Sequence, residues 1–153
     1  ENFDVSPAIC YEIAYGESLR KRSINSSAII TVSNDTWFGP TNGPWQHLQI
    51  ARVRALENAK PVIRATNNGI TAVIDKNGIV VDKLPQFTSD VLRSKVNLTQ
   101  GRTPYSYLGD WPTLSVIFFV FLYFGSRLRT HWQALISLKK KCLRCMLVSL
   151  GLK

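Results

Sequence analysis

The chain has 153 residues, 45% of them hydrophobic, which is enough for one domain with its own core. Its formal net charge of +9 is local: residues 1–126 carry 12 Lys plus Arg against all 10 acids, whereas residues 127–153 carry 7 basic residues and no acid. This pattern excludes a nucleic-acid binder, because neither a reader fold nor a stacking surface accompanies the basic end.

In chain order, Asp4 to Ile9 reads as a short strand. Cys10 leaves it within the run Ser6-Pro7-Ala8-Ile9-Cys10-Tyr11-Glu12-Ile13. A cysteine at a sharp strand-to-helix turn is exposed as a nucleophile, and its thiolate attacks acyl carbons. The backbone N–H of Tyr11 would then point at the developing oxyanion. Apolar runs also house inert cysteines as core filler, so the turn alone does not decide the matter. Ser18 to Arg22 reads as a short helix, and Ala28 to Ser33 is a continuous apolar run suited to a buried strand. After a loop rich in glycine and proline, Trp45 to Ala59 reads as a helix. Leu48, Ala51, Val53, Ala55 and Leu56 are its apolar positions, Pro44 lies at its first turn and Pro61 ends it. Val62 to Ala65 and Ile70 to Ile74 are expected strands joined through Asn67-Asn68-Gly69. The turn Asp75-Lys76-Asn77-Gly78 leads to a strand at Ile79 to Leu84, and a last one is expected at Val91 to Val96. The alternation predicts a layered α/β sandwich.

Between Asp110 and Arg127 lie 16 uncharged residues. A spanning helix usually needs about 17 to 25, so a buried core helix is the alternative. Pro112 at a helix start, Trp111 and Tyr123 at opposite interfaces and Arg127 with Arg129 just beyond favour a membrane span, which snorkelling arginines can lengthen. By the positive-inside rule, the basic tail is then cytoplasmic and residues 1–110 lie outside the inner membrane.

Five blocks in order carry a more specific signal. They are Ile29-Ile30-Thr31-Val32-Ser33-Asn34-Asp35-Thr36-Trp37-Phe38-Gly39-Pro40, Gly43-Pro44-Trp45-Gln46-His47 with Ala51-Arg52-Val53-Arg54-Ala55-Leu56-Glu57, Thr66-Asn67-Asn68-Gly69-Ile70-Thr71-Ala72-Val73-Ile74, Gly101-Arg102-Thr103-Pro104-Tyr105, and Gly109-Asp110-Trp111-Pro112. Over roughly residues 5–126 the chain resembles the apolipoprotein N-acyltransferase family, bacterial membrane enzymes that carry a nitrilase-type (carbon-nitrogen hydrolase) domain. The resemblance implies an α/β fold: the C-terminal part of a nitrilase-type αββα sandwich over residues 1–107, one transmembrane helix over 108–126 and a basic cytoplasmic tail over 127–153. The chain begins at Glu1 with no methionine or signal sequence and reaches Cys10 after one strand. The start of the domain is therefore expected upstream.

The resemblance also implies chemistry. Sites of this type combine a Glu base, a Lys and a Cys. Cys10 matches the nucleophile, Tyr11 the backbone oxyanion donor and Glu12 an acidic position of the motif, where it would orient the turn. The base Glu and the Lys lie well upstream in the family, and Glu12, Glu17 and Lys21 do not take their place. Asn34, Asp35, Trp37 and Phe38 occupy a loop after a strand, where α/β folds place their sites, and the resemblance makes Trp37 and Phe38 a wall of the acyl pocket. An ordinary Asn-Asp turn over packed aromatics would look the same. His47 reads as a solvated or capping side chain at a helix start, and Asn67-Asn68-Gly69 as a structural turn. No metal or cofactor is expected.

The implied reaction moves a fatty acyl group from a membrane phospholipid, through a Cys10 thioester, to the N-terminal amine of a lipidated apolipoprotein at the bacterial inner membrane. The partners are therefore phospholipid, apolipoprotein and bilayer, with no nucleic acid. The alternatives are a membrane-attached amidase and a non-catalytic remnant, and the 153 residues by themselves are expected to be inactive and to fold poorly. Cys142 and Cys145 in the tail lack the context of a redox or zinc motif, and read as free thiols in a basic helix near anionic lipid.

Overall fold

Alternate residues of the strands point to opposite faces, and burial follows that rule closely. The computed structural model describes residues 3–149, with the side chains of 130, 131 and 133–149 outside the described set. It divides into two units, Glu1–Gly109 and Asp110–Lys153. The first is built on a mixed sheet of strands β1 (Val5–Ile9), β2 (Ala28–Asn34), β3 (Val62–Asn67), β4 (Ala72–Ile74) and β5 (Val80–Lys83), lying side by side in chain order. β1, β2 and β3 are parallel, and β4 and β5 continue antiparallel. Helix α1 (Gly16–Ser23) joins β1 to β2, and helix α2 (Gly43–Asn58) joins β2 to β3.

Two rows cross the inner face in register: Ser6, Ile29, Val62 and Ile74 form one, and Ala8, Thr31, Arg64 and Ala72 the other. All eight are buried, against Ile13, Leu19 of α1, and Leu48, Ala51 and Ala55 of α2. Full burial of each Ile or Leu stabilises the fold by about 1.5–3 kcal/mol. The opposite face carries Val5, Pro7 and Ile9 of β1, Ile30 and Val32 of β2, and Ile63 and Ala65 of β3. It is apolar yet open, with Ile9 63% and Val32 50% exposed.

The helical expectations hold in position, but α2 differs in phase. Its buried residues are Pro44, His47, Leu48, Ala51, Ala55 and Asn58, whereas Val53 and Leu56 face outward. Asn58 is satisfied inside: its Oδ1 accepts from Ser23 Oγ at 3.1 Å and its Nδ2 donates to the Arg54 carbonyl at 2.9 Å. The strand expected at Val91 to Val96 does not form, since residues 84–103 contain neither helix nor strand. β5 is only four residues long and largely exposed, and the segment meets it through a side chain, Ser94 Oγ donating to the Asp82 carboxylate. β4 likewise begins at Ala72 rather than Ile70, because the Thr71 hydroxyl accepts the Thr66 N–H at 3.1 Å.

The segment before helix α3 (Pro104–Leu108) is stapled across the far ends of β2 and α2. Thr99 N–H donates to the Ser27 carbonyl, Thr99 Oγ1 to the Ala59 carbonyl, and Lys60 Nζ to the carbonyls of Thr99 and Gly101 at 3.2 and 3.0 Å. Lys60 is buried, and that burial, reinforced by the nearby Arg102 charge, lowers its pKa from the ordinary lysine value. Thr103 caps α3 by accepting the Ser106 N–H at 3.0 Å.

In the second unit, helix α4 runs from Trp111 to Ser149 without interruption. Its stretch Trp111–Arg129 has a mean hydropathy of 1.4, is nowhere buried in the chain, and is long and apolar enough to cross a membrane. No break in the helix accompanies the change from apolar to basic sequence near residue 127. The side chains of Cys142 and Cys145 lie outside the described residues.

Candidate active site

Three adjacent parallel strands end within two residues of one another, and their C-terminal ends carry the candidate residues. Ile9 pairs with Val32, and Val32 with Ala65, so Cys10 follows β1 level with Ser33 and Thr66, one residue before Asn34 and Asn67 close β2 and β3. Cys10 is partly exposed and takes φ 52°, a left-handed conformation that costs a non-glycine residue about 1–2 kcal/mol. It opens a 3₁₀ turn, Cys10–Ala14. Such an abrupt change of direction lifts the side chain off the strand end.

Glu12 holds this turn from within. Its Oε2 accepts the Ile9 N–H at 2.9 Å and Arg22 Nη1 at 3.2 Å. The backbone donor first, and Arg22 second, lower the Glu12 pKa below the ordinary carboxylate value. The Tyr11 ring is exposed, edge-on to Tyr15 and 6.4 Å from the ring of His47.

The second loop follows β2. Asn34 Oδ1 accepts from the N–H and hydroxyl of Thr36 and from Asn67 Nδ2, an Asx turn tied to the end of β3. Trp37 is 80% exposed and so does not pack beneath the turn, whereas Phe38, whose ring lies 5.4 Å away, is half-buried against Gly43.

Asp35 points the other way. It is fully buried: Oδ2 accepts from Arg64 Nη2 at 2.7 Å, and Oδ1 lies 2.9 Å from His47 Nδ1 and 3.1 Å from the Ser33 hydroxyl that donates to it. One carboxylate thus joins the end of β2, the start of α2 and the middle of β3. It also sets the neighbouring turn, since a Cβ on Gly69 would lie 2.5 Å from Asp35 Oδ2. The reading of His47 as a solvated or capping residue is corrected here. It is only 4% exposed, because the buried stripe of α2 passes through position 47 between Pro44 and Ala51. Arg64 was not anticipated at all. The available signal was a charge at an inward position of a buried strand, which demands a partner. Burial lowers the Arg64 pKa, against which the charges of Asp35 and then Cys10 act. Among the described residues, no group of three His, Cys, Asp or Glu side chains is arranged to hold a metal ion.

The sequence that builds this turn has counterparts in known proteins. Residues 3–103 match the model of the carbon-nitrogen hydrolases. The chain belongs to that family. Among curated relatives, it is 50% identical over 111 residues to an apolipoprotein N-acyltransferase of Photobacterium profundum, covering 72% of this chain and 22% of the relative. To the enzyme of that name from Wigglesworthia glossinidia brevipalpis it is 49% identical over 126 residues, 80% of this chain and 25% of the relative. To that of Pasteurella multocida it is 50% identical over 132 residues, 84% and 25%. The resemblance read from the five motif blocks is borne out. This carbon-nitrogen hydrolase chain spans about a quarter of the length of the curated relatives it matches.

Proposed function

We propose that the chain forms the nucleophile-bearing part of an enzyme that acylates the N-terminus of lipoproteins. The observation that carries this reading is Cys10, a cysteine held in a left-handed conformation at a strand end in a chain half identical to apolipoprotein N-acyltransferases. The Cys10 thiolate attacks an ester carbonyl of a membrane phospholipid. The tetrahedral oxyanion is stabilised by the Tyr11 backbone N–H and by a lysine from outside these residues, and collapses to an S-acyl thioester as the lysophospholipid alkoxide leaves. A glutamate, also from outside these residues, takes the thiol proton and delivers it to that alkoxide. The lipoprotein amine then attacks the thioester, giving up a proton to the same glutamate and restoring the thiol. No cofactor enters this scheme.

Glu12 acts here as an orienting residue, consistent with its grip on the Ile9 N–H. Trp37 and Phe38 form a wall for the acyl chain, in keeping with the exposure of Trp37 and the contact of its ring with Phe38, and Asn34 shapes the loop that bears them. The open apolar sheet face supports a second sheet packed against it, as in an αββα sandwich. Helix α4 over Trp111–Arg129 would place the site beside the bilayer that holds both substrates, with residues 1–107 periplasmic and the basic tail cytoplasmic.

The test is intact-protein mass spectrometry of the full gene product in its membrane. An acyl adduct removable by hydroxylamine is expected on the parent and absent from Cys10→Ala. An adduct that persists on Cys10→Ala overturns the assignment. A thioester discharged by water but not by a lipoprotein amine would make the enzyme an amidase.

A further inference from the structure

Arg64 is fully buried, and Asp35 accepts from only one of its nitrogens. Its Nε and Nη1 have no hydrogen-bond partner among the described residues. Buried N–H donors without an acceptor cost about 1–3 kcal/mol each, so a guanidinium with two of them marks a place where an acceptor belongs. Arg64 stands in one register row with Thr31 and Ala8, two residues before Cys10. Asp35 lies beyond the C-terminal end of β2 and draws the guanidinium toward that end of the sheet, where the Cys10 turn sits. His47, beside the Tyr11 ring, braces the other carboxylate oxygen.

We propose that Arg64 is a positioning residue for the nucleophile: Asp35 and His47 hold its guanidinium so that the remaining N–H groups are offered to the Cys10 sulfur and favour the thiolate. This rests on the reading of Cys10 as the acyl-transfer nucleophile. Within this chain the charged and titratable groups on the elements that meet at the elbow are Glu12 with its partner Arg22, Tyr11 on the same turn, His47 from α2, Asp35 from the loop after β2, and Arg64 from β3. The full gene product adds the glutamate and lysine of the proposed mechanism, which parent and variant share. Of the groups within this chain, Arg64 is the buried permanent cation. Asp35 balances its charge overall, but it engages Nη2 alone, so Nε and Nη1 are not committed to the carboxylate.

The test is the pH dependence of alkylation by iodoacetamide in the full gene product, read at Cys10 by peptide mapping so that Cys142 and Cys145 do not contribute. An opposite charge within a few ångströms shifts a pKa by about 1–3 units. Arg64→Met should therefore raise the midpoint by about one unit or more, a roughly tenfold loss of thiolate at neutral pH. If Arg64→Met does not fold, Arg64→Lys carries the test. An ammonium on a shorter stem keeps the charge but withdraws it, and should raise the midpoint by about half a unit. A folded variant of either kind with the parental midpoint overturns the proposal, because a merely structural role would lower stability without moving a thiol titration. Alkylation needs neither substrate. A shifted midpoint in a protein that forms no acyl thioester keeps Arg64 and removes the acyl-transfer reading, and normal thioester formation with an unmoved midpoint does the reverse.

Discussion

Removing both members of the Asp35–Arg64 pair should cost well under the sum of removing each alone. With both side chains fully buried and 2.7 Å apart, Asp35→Asn strands a cation in the core and Arg64→Met strands an anion. Breaking one side of a buried pair costs about 3–5 kcal/mol, whereas replacing both partners with groups of similar volume is often close to neutral. His47 moderates the Arg64→Met case, since its Nδ1 still faces Oδ1. Asp35→Asn should therefore be the harsher single change, nearer 5 than 3 kcal/mol. For the double variant Asp35→Asn/Arg64→Met, additivity predicts a loss of about 6–10 kcal/mol, and a coupled pair predicts about 5 or less. The assay is urea unfolding of the full gene product in detergent, followed by tryptophan fluorescence. A double variant whose loss equals the sum of the singles, within about 0.5 kcal/mol, would refute the claim that the two charges are mutually compensated.

Other consequences are open to simpler tests. Gly69→Ala forces Asp35 to move and should lower the thermal midpoint, whereas Gly39→Ala, with nothing within 4 Å of its Cβ, should show only backbone strain from its φ of 54°. Glu12 has a lowered pKa, so the stability it adds is present above the ordinary value of 4.5 and is lost as pH falls through its folded value. The melting-point gap between the parent and Glu12→Gln should close on acidification. Glu17 is held down to about 2, first by Arg20, and its contribution should survive to correspondingly lower pH. Lys60 runs the other way: its folded pKa lies below 10.5, so the unfolded chain binds more protons in that window. The stability of the parent relative to Lys60→Met should rise with pH toward 10.5, as seen in urea titrations at successive pH values. Val32→Lys, on the open sheet face, should leave this half of the fold intact yet prevent assembly of the full gene product, measured by limited proteolysis.

Legibility from sequence divides along the range of the interactions. β2 was readable as a largely apolar run, β1 and β3 as short segments with apolar residues beside a turn, and the elbow because Cys10 and Glu12 form a local motif. Helix α2 was found but misphased: Val53 and Leu56 are apolar and exposed, while His47 and Asn58 are polar and buried, because their partners come from other elements. Asp35 lies 12 residues from His47 and 29 from Arg64, a separation invisible to any periodic pattern. Residues 91–96 carry strand-like composition, but the hydrogen bond between this segment and β5 runs from the Ser94 hydroxyl to the Asp82 carboxylate, side chain to side chain, and builds no backbone ladder.

The left-handed backbone at Cys10 also bears on the chain's history. Glycine there would relieve about 1–2 kcal/mol of strain and forfeit about 0.5–1 in conformational entropy, so Cys10→Gly should come out slightly more stable than the parent. One base change in a cysteine codon makes that glycine. A gene with no need of the thiol therefore has a short downhill mutational step away from it, whereas one that uses the sulfur has to carry the strain at residue 10.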